Sequence, residues 1–330
     1  MKFGPVPVVE TDGAILAHGV RTAGGVFKKG QRLGPAERAA LVAAGVGSVV
    51  VAELDPGDIV EDEAAMRIAE IVAGVGTLTG AASTGRVNIF AQDAGLLRFD
   101  PAAIDAVNAV TEDVTLATFP HLSPVESGRM VATIKIIPFA VPETLLGQCE
   151  SAAGKAAISV APFRPLAARL IQTVNTGLKP SVMAKTSQVT AARMARLGGS
   201  LAGETRCPHD MARVTADMRV ALDAGCDLLL VIGASAIVDR RDVIPAAILE
   251  LGGRIERLGM PVDPGNLILI GEFAGTPVLG LPGCARSPAR NGLDWVLERL
   301  AAGIPVTAGD VARMGVGGLL IGQEEEKDYL

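Results

Sequence analysis

The 330-residue chain has few aromatic side chains. Eight Phe, one Trp and one Tyr make up 3% of it, against 49% hydrophobic residues overall. Its core must therefore come from Ala, Val, Leu and Ile, which suits layered helices and buried parallel strands. Histidine is nearly missing too. His18, His121 and His209 are the only three, too few for a histidine-rich metal site. The four cysteines, Cys149, Cys207, Cys226 and Cys284, lie far apart with no short paired spacing, which argues against a zinc site or a disulfide framework and predicts reduced, buried thiols. No Lys/Arg-rich run exists and the formal charge is −6, so the chain lacks the footprint of a nucleic-acid binder. The most apolar run, Leu228 to Val238, falls well short of the roughly 20 residues that cross a bilayer, and it contains Gly233 and Ser235. The opening MKFGPVPVVETDG has an early acid and no long apolar stretch, unlike a signal peptide. The expected location is the cytoplasm, with no membrane and no nucleic-acid partner.

The length, together with 39 Gly and 20 Pro spread along the chain, predicts two or three domains with many tight turns. Residues 1–77 read as an αβ segment, with a helix from Pro35 to Ala44, a Val-rich strand from Ser48 to Glu53, and an acidic helix start leading into Ala64 to Ala73. Residues 78–164 read as a strand-rich segment and linker. Its strands are RVNIFAQ, LLRFD, VTLATF and MVATIKIIPFAV, with one helix near Pro101 to Ala109 and Pro138 ending a ladder.

Residues 165–330 change period. ARLIQTVN, SLAGETRC and DLLLVIG read as strands alternating with helices over SQVTAARMARLG, PHDMARVTADMRVALDAG and RDVIPAAILELGG. Two further strands, LILIGEF and TPVLGLP, lead into a helix over ARSPARNGLDWVLERLAAG. Alternating β and α units predict an α/β fold, a three-layer domain with a mostly parallel sheet, preceded by smaller α+β and β-rich N-terminal segments. Trp295 falls at core spacing on the last helix and reads as packing. The tail from about Gly322, GQEEEKDYL, reads as disordered.

In such sheets ligands bind beyond the carboxyl ends of the strands. After DLLLVIG, Gly233 and Ser235 permit a close backbone approach, and Asp239, Arg240, Arg241 and Asp242 surround the next helix start, where free N–H groups favour an anion. After TPVLGL, Pro282 and Gly283 turn the chain, and Arg286 and Ser287 are expected near another helix N-terminus as a second anion cradle. Cys284 would be reactive only if the helix dipole and Arg286 lowered its pKa; the expectation is an inert thiol.

In this order and spacing the segments resemble the molybdopterin-binding domain shared by molybdopterin adenylyltransferase and molybdopterin molybdotransferase (the MogA/MoeA type). The resemblance runs from about 165 to 305 on RRDVIP, GMPVDPGN and LPGCARSPA, and FKKGQRLGPAERAALVAAGVGSVVV is similar to the segment before that domain in the molybdotransferase. It implies a ligand, molybdopterin or adenylylated molybdopterin, with Mg2+ and molybdate as further reactants. Asp242 matches the acid that supports magnesium-dependent chemistry, as catalytic residue and metal ligand, with Asp210 as a second catalytic carboxylate. Gly233, Ala234 and Ser235 match the pterin-binding turn, flanked by Asp239 and Arg241; Pro282, Gly283, Cys284 and Ser287 match the Pro-Gly turn. Asn175 and Thr176 end the first strand where the family has binding residues. Arg241 or Arg286 would offset phosphate charge.

The chain also departs from the pattern. Ala234 replaces a second glycine, Gly177 and Leu178 stand where an acid is usual, Lys185, Thr186 and Ser187 replace Asp-Ser-Asn, and Cys284 replaces an Asn. These losses remove ligands from a transferase reaction that neutralises phosphate charge. Three readings therefore stand: a molybdate-inserting enzyme, a non-enzymatic carrier or maturation factor serving a nucleotidyltransferase or molybdoenzyme partner, and a nucleotide-cleaving hydrolase resembling the competence-damage-inducible protein. The family's assembly implies a homo-oligomer.

Overall fold

The computed structural model describes residues 1–321, so the tail expected to be disordered lies outside the described residues. Contacts divide the chain into two units, Met1–Ala161 and Pro162 onward.

The first unit contains two hydrophobic cores. Lys2–Pro7, Ser48–Glu53 and Ile15–Leu16 form a three-stranded antiparallel sheet; with the helix Pro35–Ala43 they enclose Leu16, Leu33, Leu41 and Val51. The second core lies under the antiparallel sheet Val114–Thr118, Met130–Ile136, Arg86–Ala91 and Thr77–Thr79. The helices Glu61–Val72, Pro101–Asn108 and Glu143–Ala153 contribute to this core. Met130–Ile136 buries Ala132, Ile134 and Ile136 on one face, leaves Thr133 and Lys135 half-buried on the other, and ends before Pro138.

The second unit carries the α/β pattern. In chain order it comprises β1 (Ala167–Val174), α1 (Pro180–Arg196), β2 (Ser200–Pro208), α2 (Met211–Asp223), β3 (Leu228–Ile232), α3 (Val243–Glu250), β4 (Arg254–Leu258), β5 (Leu269–Phe273), β6 (Thr276–Leu281) and α4 (Gly292–Ala301). The six strands are ordered β2-β1-β3-β6-β5-β4. The first four run parallel, while β5 and β4 pair antiparallel. The sequence pattern missed β4: RIERL is an edge strand whose charged residues hide the alternation, with Arg254 bonded to Glu256 and to Glu272 on β5.

Alternation along the strands explains the three layers. On β3, Leu228, Leu230 and Ile232 join Met194 of α1 and Val296 and Leu297 of α4 on one face. Leu229 and Val231 join Val214 and Met218 of α2 and Ile244 and Ile248 of α3 on the other. All five β3 side chains are buried, as expected for a strand covered on both faces. Leu230→Ala should therefore cost about 2–5 kcal/mol of unfolding free energy, read by urea denaturation of the full chain; a loss under about 1 kcal/mol would contradict close packing at the sheet centre.

Candidate functional site

Four connections leave the carboxyl edge of the parallel strands: 175–179 after β1, 209–210 after β2, 233–242 after β3 and 282–291 after β6. Strands β1 and β3 are neighbours, while β1 leads outward to β2 at the sheet edge. The crevice between β1 and β3 is thus the switch point where α/β sheets bind ligands.

One peptide unit ties the connection after β3 to the end of β1 and to the connection after β6. The N–H of Ala234 donates to Thr173 Oγ1 at 2.8 Å, and the Thr173 hydroxyl lies 2.7 Å from His209 Nδ1. On the other side of the same peptide, the Gly233 carbonyl accepts from Arg286 Nη2 at 3.1 Å, and Arg286 Nη1 donates to Thr186 Oγ1 on α1 at 2.7 Å. The turn is tight enough that a Cβ on Gly233 would collide with the Ser235 carbonyl oxygen. Glycine is needed here for the backbone's own return. At Gly283 the added Cβ would meet nothing within 4 Å.

The connection after β6 is held from below by Arg193. This α1 residue is 3% exposed; its Nε donates to Asp294 at 3.0 Å, Nη1 to the Ala285 carbonyl at 2.7 Å, and Nη2 to the carbonyls of Ser287 at 2.6 Å and Ala289 at 3.0 Å. Asp294 also accepts from the Asn291 N–H, closing a capping box at the start of α4. This corrects the expected second cradle: α4 begins at Gly292, so Arg286 and Ser287 are not at its N-terminus. Carbonyls that would have continued a helix back through Ala285 are turned onto Arg193.

The predicted residues fall into distinct settings. Asp242 caps α3 by accepting from Val243 N at 2.7 Å and stands 3.8 Å from His209 Nε2. Asp210 is exposed and caps α2 through Arg213 N. Asp239 is bonded through both oxygens to Arg241, which holds its carboxyl down at about 2. The Arg241 side chain is 90% exposed. Asn175 and Thr176 are exposed in the turn after β1, where Asn175 accepts from Gly177 N. Ser235 and Ser287 are exposed and Pro282 is buried. Burial pushes the half-buried Cys284 thiol up, the direction of an inert group.

Sequence reasoning left Thr173, Thr186 and Arg193 unassigned. Arg193 sits on the buried stripe of α1 with Met183, Thr186 and Thr190, and a cation at core spacing on a helix was the signal available for it. The replaced positions are occupied locally: Ser187 donates to Glu204 Oε2 at 2.6 Å, and Gln172 donates to both. Burial raises the Glu204 pKa, but these bonds and that of Arg206 outweigh it and hold the carboxyl below its usual range.

A magnesium ion is commonly held by one or two carboxylates together with substrate phosphates. Among the described residues, no three His, Cys, Asp or Glu side chains stand close enough to share an ion. Asp242 fits such an ion only jointly with ligand oxygens, not as part of a resident cage.

No family model matches the chain, and no curated protein does. Among solved structures, it is similar to a molybdopterin biosynthesis MoeA protein from Pyrococcus horikosii at 16% identity, over 94% of this chain and 77% of that one, with a TM-score of 0.31. It is also similar to the molybdopterin biosynthesis enzyme MoaB from Thermus thermophilus, at 20% identity over 42% and 98% with a TM-score of 0.29. A third is the protein CinA, of unknown function, from Thermoplasma acidophilum, at 18% over 38% and 90% with a TM-score of 0.27. At these identities and TM-scores the likeness assigns neither ligand nor activity.

Two outcomes follow. Arg193→Met strands Asp294 and unties three carbonyls; we expect about 3–5 kcal/mol lost from stability and faster amide exchange at Ala285, Ser287 and Ala289, and unchanged exchange would show that the loop holds itself. All four thiols have pKa values raised by burial, Cys207 to about 12. Each therefore carries less thiolate at a mildly alkaline pH than a free cysteine, and iodoacetamide should label the native protein slowly and the urea-unfolded chain fast. Rapid native labelling of Cys284 would overturn that assignment.

Proposed function

We propose that the carboxyl edge of this sheet binds molybdopterin or adenylylated molybdopterin, a small-molecule pterin ligand, in the biosynthesis of the molybdenum cofactor. The observation that carries the reading is the fixing of the 233–242 connection at one peptide from both sides: Thr173 at the end of β1 on its N–H, and Arg286 of the 282–291 segment on its carbonyl. That arrangement presents the exposed polar groups of Asn175, Thr176, Ser235 and Ser287 from a fixed frame, which is what an extended, polar, phosphate-bearing ligand requires.

In the enzymatic form of this reading the chain is a transferase. Water cleaves the phosphoanhydride of the adenylylated ligand, AMP leaves, the ligand keeps its own phosphate and its dithiolene sulfurs take up molybdate; Asp242 would supply a carboxylate to a magnesium ion held jointly with the ligand's phosphates. An Mg2+ ion bound there would offset developing phosphate charge. Asp242, fixed by its bond to Val243 N and adjacent to His209, would orient the ligand's phosphate end.

A second reading is favoured by a specific observation. Neither of the other candidate carboxylates is at liberty beside Asp242, since Asp210 caps α2 and Asp239 is held by Arg241. A carrier that passes the finished cofactor to a nucleotidyltransferase or a molybdoenzyme needs no second carboxylate. Both forms suit a cytoplasmic homo-oligomer; no helix among the described residues is long and apolar enough to cross a membrane.

Calorimetric titration with molybdopterin and its adenylylated form, with and without magnesium, tests binding, and AMP release on adding molybdate tests turnover. Binding with release supports the enzyme, and binding without release the carrier; no binding of either ligand overturns both. If the enzyme is correct, Asp242→Asn abolishes AMP release and leaves pterin binding partly intact.

A further inference from the structure

Arg286 differs from the two other arginines that hold its loop or lie in it. Arg193 and Arg290 both meet carboxylates, those of Asp294 and Glu298. Arg286 is half-buried, yet among the described residues no carboxylate lies within ion-pair distance of it, and its two hydrogen bonds go to neutral acceptors, a hydroxyl and a backbone carbonyl. A guanidinium has five N–H donors, so three remain without a protein acceptor. Arg286 Nε makes no hydrogen bond to another described residue and is not among the fully buried atoms left without a partner, so this donor reaches solvent. A partly desolvated cation without a counter-charge is costly. Consistent with this, burial alone pushes the guanidinium pKa down, with no anion near enough to oppose it.

We propose that Arg286 is the oxyanion receptor of this site, taking an oxygen edge of a tetrahedral dianion, the phosphate of the bound ligand. The carrier of that phosphate rests on the pterin reading; the receptor itself does not. The planar guanidinium matches two oxygens of one phosphate, and its Nη1 and Nη2 are already held by Thr186 and the Gly233 carbonyl, so little side-chain freedom remains to be lost on binding. The neighbouring cation Arg241 is exposed and already paired with Asp239, and Arg240 is exposed, whereas Arg286 is half-buried and bonded directly to the Gly233 carbonyl.

The test uses the full chain at constant ionic strength. Inorganic phosphate, molybdate and AMP are titrated calorimetrically into the wild type, Arg286→Gln and Arg286→Lys, and molybdopterin is titrated in parallel. The expected result is phosphate binding to the wild type, weakened about tenfold or more in Arg286→Gln and less in Arg286→Lys, which keeps the charge and loses the fork. In case Arg286→Gln loosens the loop, the rise in unfolding temperature produced by phosphate is compared: it should appear in the wild type and vanish in the variant. Stronger binding of AMP or molybdopterin than of free phosphate, with the same dependence on Arg286, places the phosphate on an organic ligand; preference for free molybdate or phosphate would overturn that source. Equal binding of phosphate and molybdopterin to wild type and Arg286→Gln overturns the receptor and leaves the pterin reading standing. Phosphate binding through Arg286 with no molybdopterin binding does the reverse. No phosphate binding to the wild type at millimolar concentration overturns the receptor.

Discussion

The buried guanidinium of Arg193 is the constraint from which the rest of the carboxyl edge follows. A full charge at 3% exposure is tolerable only when paired and hydrogen-bonded, and the chain meets that demand with Asp294 and three main-chain carbonyls from one loop. The loop after β6 is therefore folded around a side chain from the helix after β1. The start of α4 moves to Gly292 because residues before it are engaged elsewhere. Asp294 serves both ends of this arrangement, as counter-ion to Arg193 and as the return half of the α4 capping box.

With the loop held from beneath, its upper surface gains a defined position. Arg286 lies one residue beyond Ala285, whose carbonyl is bound to Arg193, and from there it reaches both Thr186 and the Gly233 carbonyl. Two arginines thus divide the work: one is satisfied by protein and fixes backbone, and the other is supported by neutral groups with donors to spare. The Thr173 hydroxyl, buried at the end of β1, completes the frame by taking the Ala234 N–H and orienting His209 toward Asp242.

Much of this was legible in the sequence, for local reasons. The alternation of apolar runs with helical periods marked β1, β3, β5 and β6, because burial in the sheet interior leaves a Leu/Val/Ile-rich signature, and the edge strand β2 was legible from its place between two helical periods. Asp210 and Asp242 were visible at helix starts because capping is a short-range pattern, and both cap their helices. What was not legible depended on partners far along the chain. β4 is an edge strand stabilised by a cross-strand ion pair from Arg254 to Glu272. The delayed start of α4 depends on Arg193, nearly a hundred residues earlier. Thr173 read simply as the end of a strand; its importance arises from a bond to Ala234, across the sheet.

The peptide joining Gly233 to Ala234 also limits how this chain can vary. Its N–H is engaged by Thr173 within β1 and its carbonyl by Arg286 of the connection after β6, so adding or removing a residue in the connection after β3 or in the one after β6 would pull on the other. Loops in α/β proteins ordinarily accept insertions and diverge one at a time. Here the loops after β3 and β6 should keep their lengths together, and length variation among descendants of this chain should collect at the opposite edge of the sheet, in turns such as the one between α2 and β3.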